Sequence, residues 1–338
     1  MADADAPPLR TVGGSLWVST GHLPTEEVVQ LLVREAHRRF QPMREGEVAS
    51  YIPALASANP DHFGICVAAT GGQLFEAGEA TQPFSIQSLS KPFLFALICE
   101  AIGENAAREK LGVNSTGLPF NSVLAVERTD EGLSNPMVNA GAIAATSLAP
   151  GDTLEAKWAF IEEGFSRFAG RPLTLDAAVY ASELATNRRN VGIATLLEAQ
   201  ERIWMDPEAA TDLYTRQCAL SVTARDLALM AATLANGGRH PRTGAQVIEP
   251  LICQHVLAVM VTAGLYETSG DWLYDIGLPG KSGVSGGLIT VAPGKGGLAS
   301  YAPPLDGAGN SVRGQLTASF LSERLGLNLF ASRPVRQG

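Results

Sequence analysis

Segments that read as β-strands lie near both ends of this chain, and the long stretch between them favours helix. Toward the N-terminal end, residues 63–69 and 73–77 flank the turn Thr70-Gly71-Gly72 and predict a hairpin. Toward the C-terminal end, the glycine-rich, β-branched stretches 283–293 and 296–303 flank Pro293-Gly294-Lys295-Gly296 and predict a second. The simplest architecture is one antiparallel sheet built from both ends, covered by terminal helices, with a helical region inserted between. The expected class is α+β. Terminal helices are predicted over 25–40 and 315–330, and inserted ones over 136–148, 153–168, 175–184, 191–200, 207–217, 223–236 and 247–263. Asp152 and Ser221 serve as expected N-caps, and Asn236-Gly237-Gly238 as a C-terminal stop.

At 338 residues with 46% hydrophobic side chains, the chain can bury a sizeable core. Its 25 Lys+Arg against 34 Asp+Glu, without long charge runs, argue against a nucleic-acid or anionic-membrane surface as main partner. No apolar run reaches the length of a membrane span and residues 1–8 lack the apolar region of an export signal, so a cytoplasmic protein is expected. Cys66, Cys99, Cys218 and Cys253 are far apart, with no CxxC pair, and predict buried free thiols. The five histidines are scattered and no HExxH appears, so neither metal nor cofactor is expected.

The chemistry centres on Phe84-Ser85-Ile86-Gln87-Ser88-Leu89-Ser90-Lys91-Pro92. Proline is tolerated only in the first turn of a helix, so Pro92 places a helix start within a residue or two of Ser88. Ser88 and Lys91, three apart, then share a face. An amine desolvated among apolar groups gives up its proton readily and can serve as base to a serine that is otherwise a weak nucleophile. Taken alone, Ser88 is equally a helix cap.

A second stretch, Gly280-Lys281-Ser282-Gly283-Val284-Ser285-Gly286-Gly287, reads three ways. A P-loop needs a small residue where Asp275 stands, and a GxSxG elbow needs a following helix and histidine where a strand and no histidine follow. A Lys-Ser-Gly triplet on an edge strand lining a serine site accounts for both stretches together. In that geometry the backbone N–H of Val284 faces that of Ser88 as an oxyanion hole. Asn139, Glu183, Asn190, Tyr214 and Tyr266 lie on or beside expected helices; each alone is as well a surface or capping group.

Together, Tyr51-Ile52-Pro53-Ala54-Leu55, Gln87-Ser88-Leu89-Ser90-Lys91, Asn135-Pro136-Met137-Val138-Asn139-Ala140-Gly141-Ala142, Ser182-Glu183 with Arg189-Asn190, Tyr214 before Gln217-Cys218, Tyr266-Glu267-Thr268-Ser269-Gly270 and Lys281 to Gly287 form an ordered set. With these motifs the chain resembles a glutaminase of the serine-dependent β-lactamase and penicillin-binding-protein superfamily, over about residues 23–329. The resemblance implies a β-lactamase/DD-peptidase-like fold in a single catalytic domain over 23–330. Its sheet parts would fall near 23–85 and 265–330 and its helical part near 100–264, with tails over 1–22 and 331–338. It implies hydrolysis of L-glutamine to L-glutamate and ammonia through an acyl-enzyme on Ser88, with Lys91 and Tyr266 also catalytic. The substrate would be held by Tyr51, Ser88, Asn139, Glu183, Asn190, Tyr214, Tyr266 and the Val284 backbone. Chemically, a carboxylate such as Glu183 suits the substrate ammonium, and donors such as Asn139 and Tyr51 suit its carboxylate. Whether Lys91 or Tyr266 is the base stays open. The resemblance further implies a homodimer or homotetramer, without the extended N-terminal region or ankyrin repeats of longer members.

Two rival readings remain. A β-lactamase, penicillin-binding protein or esterase would use Ser88, Lys91 and Lys281 equally, but the Ser-Asp-Asn motif of class A enzymes is missing between Lys91 and Lys281. A non-catalytic amino-acid-binding protein would hold glutamine without releasing ammonia.

Overall fold

The computed structural model describes residues 22–115, 117–127 and 133–332. The tail expected over 1–22 lies outside the described residues except for His22, and that over 331–338 except for Ala331 and Ser332. The chain opens with α1 (Glu26–Phe40), the single turn α2 (Pro53–Ala56), the hairpin β1 (Gly64–Ala69) and β2 (Leu74–Gly78), the short β3 (Phe84–Ser85), and α3 (Ser90–Ile102). Its middle is helical: α4 (Glu104–Lys110), α5 (Leu124–Glu127), α6 (Asn139–Ser147) and α7 (Leu154–Ala169), then β4 (Thr174–Leu175), α8 (Ala177–Thr186), α9 (Arg188–Ala199), α10 (Pro207–Cys218), β5 (Leu220–Val222), α11 (Ala224–Ala235) and α12 (Pro250–Ala263). It closes with α13 (Ser269–Ile276), β6 (Gly280–Ser282), β7 (Gly287–Ala292), β8 (Gly296–Tyr301) and α14 (Val312–Arg324).

Strands from both ends form one antiparallel sheet in the order β2-β1-β8-β7-β6. Alternate side chains of a strand point to opposite faces, and here each face is buried against a different partner. Ile65, Val67, Leu288 and Leu298 pack into a core with Val29, Val33 and Phe40 of α1 and Ala318 and Leu321 of α14. Cys66, Ala68, Ile289, Val291 and Ala299 turn the other way, into a core that continues through α11 to Phe93, Ile143 and Phe165 of the helical region. Burial on both faces explains why β7 and β8 read as nearly unbroken small or apolar runs. On Gly297, a Cβ would stand 2.5 Å from Ala228 O, so α11 lies directly on β8. Arg225 of α11 makes a bidentate pair with Glu76 of β2, at 2.7 and 2.6 Å, across that contact.

A second sheet, in the order β3-β5-β4, was not expected from the sequence. It anchors the lead-in to Ser88 on the helical region: Phe84 pairs with Val222, and Ile86 N donates to Leu220 O at 2.8 Å. Four local expectations are corrected. Ser221 belongs to β5, and the cap of α11 is Thr223, in a reciprocal capping box with Asp226; likewise Thr153, not Asp152, caps α7. The helix expected from 175 begins at Ala177, because Leu175 pairs in β4 and Asp176 caps with its side chain. The late hairpin is three strands, since Gly280–Ser282 forms β6 by itself and residues 283–286 are the turn into β7. The four cysteines are free and buried. Among the described residues, no single helix is long and apolar enough to cross a membrane.

Candidate active site

Ser88 sits in the single 3-10 turn Gln87–Leu89 that runs directly into α3, whose first turn holds Lys91 and Pro92. The three-residue spacing brings Lys91 Nζ to 2.5 Å from Ser88 Oγ. Lys91 is 1% exposed, and burial pushes its amine down to about 8, against the nearby Cys218 and Glu183, which hold it up. The amine also donates to Asn139 Oδ1 at 3.0 Å, at the start of α6. Tyr214 OH of α10 donates to the same oxygen at 3.1 Å, and Asn139 Nδ2 donates to Asn190 Oδ1 of α9 at 3.0 Å. Four helices thus converge on one amide. The Asn139 oxygen thus holds the lysine, while its Nδ2 spends one of two hydrogens on Asn190 and keeps the other for a group in the cavity it borders.

Glu183, on α8, is buried, and burial pushes its carboxyl up to about 7, opposed by the Gln87 hydrogen bond and the Lys91 charge. Gln87 Nε2 donates to Glu183 Oε2 at 3.1 Å. Gln87 has a left-handed backbone (φ 50°), a conformation a non-glycine residue keeps only where its surroundings enforce it. Ser182 Oγ accepts from Ala54 N at 3.1 Å, which fixes α2 against α8 and leaves Tyr51, 55% exposed, at the mouth.

Opposite this helical wall lies the end of β6. Gly286 N donates to Gly283 O at 2.9 Å, and Gly286 (φ 98°) takes the left-handed position of the turn. Val284, second in that turn, leaves its N–H out of the closing bond and borders the same cavity as Ser88. Tyr266 is also left-handed (φ 58°), and its hydroxyl donates to Ser282 O at 3.3 Å. Burial pushes this phenol up to about 12, while hydrogen bonds with Ser88 and Ser282 pull it down.

The cavity between the walls measures about 130 Å3 and is bordered by Tyr51, Ser88, Asn139, Glu183, Asn190, Tyr214 and Val284. That is below the roughly 300–1,000 Å3 of sites for drug-sized ligands. Lys91 and Tyr266 stand behind the serine and reach the cavity through it. Against the expectation that the Lys-Ser-Gly triplet lines the site, Lys281, Ser282 and Gly283 are buried and do not border the cavity, which Val284 reaches instead; Lys281 donates to Gly264 O and Ser282 O. Gln87, Phe120, Asn121, Asn187 and Arg189 also border the cavity and carried no predicted role. Gln87 precedes Ser88 directly, which was the available signal; Phe120 and Asn121 are brought in by tertiary bonds, Asn139 N to Phe120 O at 2.8 Å and Arg189 Nε to Asn121 O at 2.6 Å. Among the described residues no three His, Cys, Asp or Glu side chains group to hold a metal ion. A serine with an adjoining buried amine and a phenol, facing a pocket that holds Glu183 and Arg189 and is closed by a strand turn, is equipped for acyl transfer from a small substrate that carries an ammonium group.

Residues 46–330 match the family model described as Glutaminase. The chain is 59% identical over 321 residues to Glutaminase 2 of Yersinia pestis, covering 95% of this chain and 94% of that one. Among solved structures, a probable glutaminase, ybaS, superposes with a TM-score of 0.90 at 40% identity, over 91% of this chain and 100% of that one. A probable glutaminase from Bacillus subtilis, complexed with 6-diazo-5-oxo-L-norleucine, superposes with a TM-score of 0.81 at 30% identity, over 89% and 96%.

Proposed function

The chain belongs to the glutaminase family, and on that premise we propose that it hydrolyses L-glutamine to L-glutamate and ammonia through an acyl-enzyme on Ser88. The observation that carries the mechanism is the 2.5 Å approach of Lys91 Nζ to Ser88 Oγ at the floor of a cavity that also holds Glu183. A buried amine with its pKa lowered to about 8 is a better base near neutrality than a phenol raised to about 12. Lys91, once neutral, takes the hydroxyl proton as Ser88 Oγ attacks the side-chain amide carbon. The Ser88 and Val284 N–H groups stabilise the tetrahedral oxyanion. The Tyr266 phenol donates to the departing nitrogen and is reprotonated from Lys91, so the C–N bond breaks as ammonia leaves and an ester remains on Ser88. Water then attacks the ester with Lys91 as base, releasing glutamate and restoring the serine.

Glu183 receives the substrate ammonium, and Tyr51, Asn139 and Asn190 serve its carboxylate. The Bacillus relative supports the substrate class: by its name, its ligand is an amino acid with a diazomethyl ketone where glutamine has its amide. The β-lactamase-like arrangement and the homodimer or homotetramer implied by the family belong to the same reading. The five-stranded antiparallel sheet with helices on both faces supports the former. The test is ammonia and glutamate release from L-glutamine by the protein and by Ser88→Ala, with circular dichroism to check folding. A folded Ser88→Ala should lose about 10⁴-fold or more in kcat; one that kept its turnover would end the acyl-enzyme reading.

A further inference from the structure

Lys281 has no place in the steps above, yet it is among the most completely enclosed side chains of the molecule. Its amine donates to Gly264 O at 2.8 Å and to Ser282 O at 2.9 Å, and stands 4.0 Å from the centroid of the Tyr266 ring. Gly264 O lies two residues before Tyr266, and Ser282 O is the acceptor of the Tyr266 hydroxyl. One amine therefore grips the start of the tyrosine turn, the face of its ring and the carbonyl its phenol points at; burial and the nearby Lys91 push it well below the ordinary lysine range, and a neutral amine still donates both bonds. That turn needs holding, because Tyr266 is a non-glycine residue with a left-handed backbone. Its other supports are the Phe120 ring, 5.0 Å away, and local bonds within the turn, among them Ser269 Oγ to Tyr266 O at 2.8 Å and Thr268 N to Leu265 O at 3.1 Å, none of which reaches β6. Lys281 itself does not border the substrate cavity.

We infer that Lys281 is a positioning residue that staples the Tyr266 turn to the end of β6 and so fixes the phenol against Ser88. This rests on the proton-transfer role of Tyr266 proposed above. The amine packed on the ring face donates to both carbonyls whichever its protonation state, and a carbonyl has two lone pairs, so Ser282 O can accept from the lysine and the phenol together. A lysine in this triplet thus contributes without touching substrate: it sets where a proton donor stands.

The experiment is a double-mutant cycle on the full chain with L-glutamine. Turnover by the unaltered protein and the loss caused by Tyr266→Phe are measured first, and they test the underlying reading independently. Lys281→Met keeps the volume and removes the donor. It is expected to lower kcat by about 10–100-fold with KM within about threefold, the scale of a small misplacement of a reacting group. In the Tyr266→Phe background the same substitution should cost less than about threefold, because the group it positions is gone. Equal losses in both backgrounds, or an unchanged kcat, would overturn the proposal. Should Lys281→Met not fold, Lys281→Gln, which retains an N–H donor, takes its place in the cycle. Failure of both to fold would make Lys281 a group of the fold alone and would equally overturn it.

Discussion

The two walls of the cavity are built by different means. On the helical wall, Ser88, Lys91, Asn139 and Asn190 are joined side chain to side chain, as are Gln87 and Glu183. On the strand wall, bonds run from side chain to backbone: Tyr266 and Lys281 both donate to Ser282 O. Val284 there offers a backbone N–H. Helices present a few side chains at fixed angles, which suits recognition and proton handling; a strand end presents amides, which suit a developing oxyanion. Substitutions on the first wall should act through what a side chain is, and those on the second through where the backbone lies.

The largest test of this contrast is Lys91→Met, which leaves volume but no base. We expect kcat to fall by about 10²–10⁴-fold in a folded protein, the range of positioned acid–base catalysis. The sign of the pH dependence follows. In the proposed mechanism Lys91 works neutral and Glu183 ionised, so kcat/KM should rise with pH through about 7 and again through about 8. In Lys91→Met the upper limb should disappear; a profile that kept it would assign that limb to another group and move the base to the strand wall.

Next in size is Glu183→Gln, which keeps shape and removes the charge. A charge-assisted hydrogen bond to the substrate ammonium contributes about 1.5–3 kcal/mol, so KM should rise by about 10–150-fold with kcat reduced much less. Steady-state kinetics with L-glutamine reads the split. A collapse of kcat at unchanged KM would make Glu183 part of the proton path, and recognition would no longer separate from chemistry along the helical wall.

The helical wall was also the more legible in sequence. Ser88 and Lys91 declare themselves by a spacing that works only at a helix start, and the structure has both there. Asn139, Glu183, Asn190 and Tyr214 are on four separate helices, so nothing local joins them; only the ordered motif set selected them, and the structure draws them round one cavity. Gln87 was missed because its function depends on Glu183, 96 residues away. On the strand wall the signal was glycine, which marks turns without saying what they hold. The segment around Lys281 therefore read as one strand of a hairpin lining the site, whereas pairing with β7 ends at Ser282 and the lysine turns into the interior. The β3-β5-β4 sheet escaped because strands of two or three residues are too short to show a period.

The smallest expected effect is the sharpest test of the strand wall. The Val284 side chain packs in a small apolar cluster with Ala49, Ile52, Leu55 and Leu305 at the edge of the cavity. Val284→Ala removes two methyl-sized groups from that cluster, at about 0.8 kcal/mol each, and should lower stability by about 1.5 kcal/mol. The backbone N–H is retained, and alanine is compatible with the same turn, since the left-handed position belongs to Gly286. The expected outcome is therefore a lower Tm with kcat on L-glutamine within about threefold of the unaltered protein. A tenfold loss of kcat, measured well below the new Tm, would mean that the side chain itself shapes the reacting geometry. The strand wall would then act like the helical one, by residue type, and the oxyanion donor would have to be sought elsewhere than in the backbone of Val284.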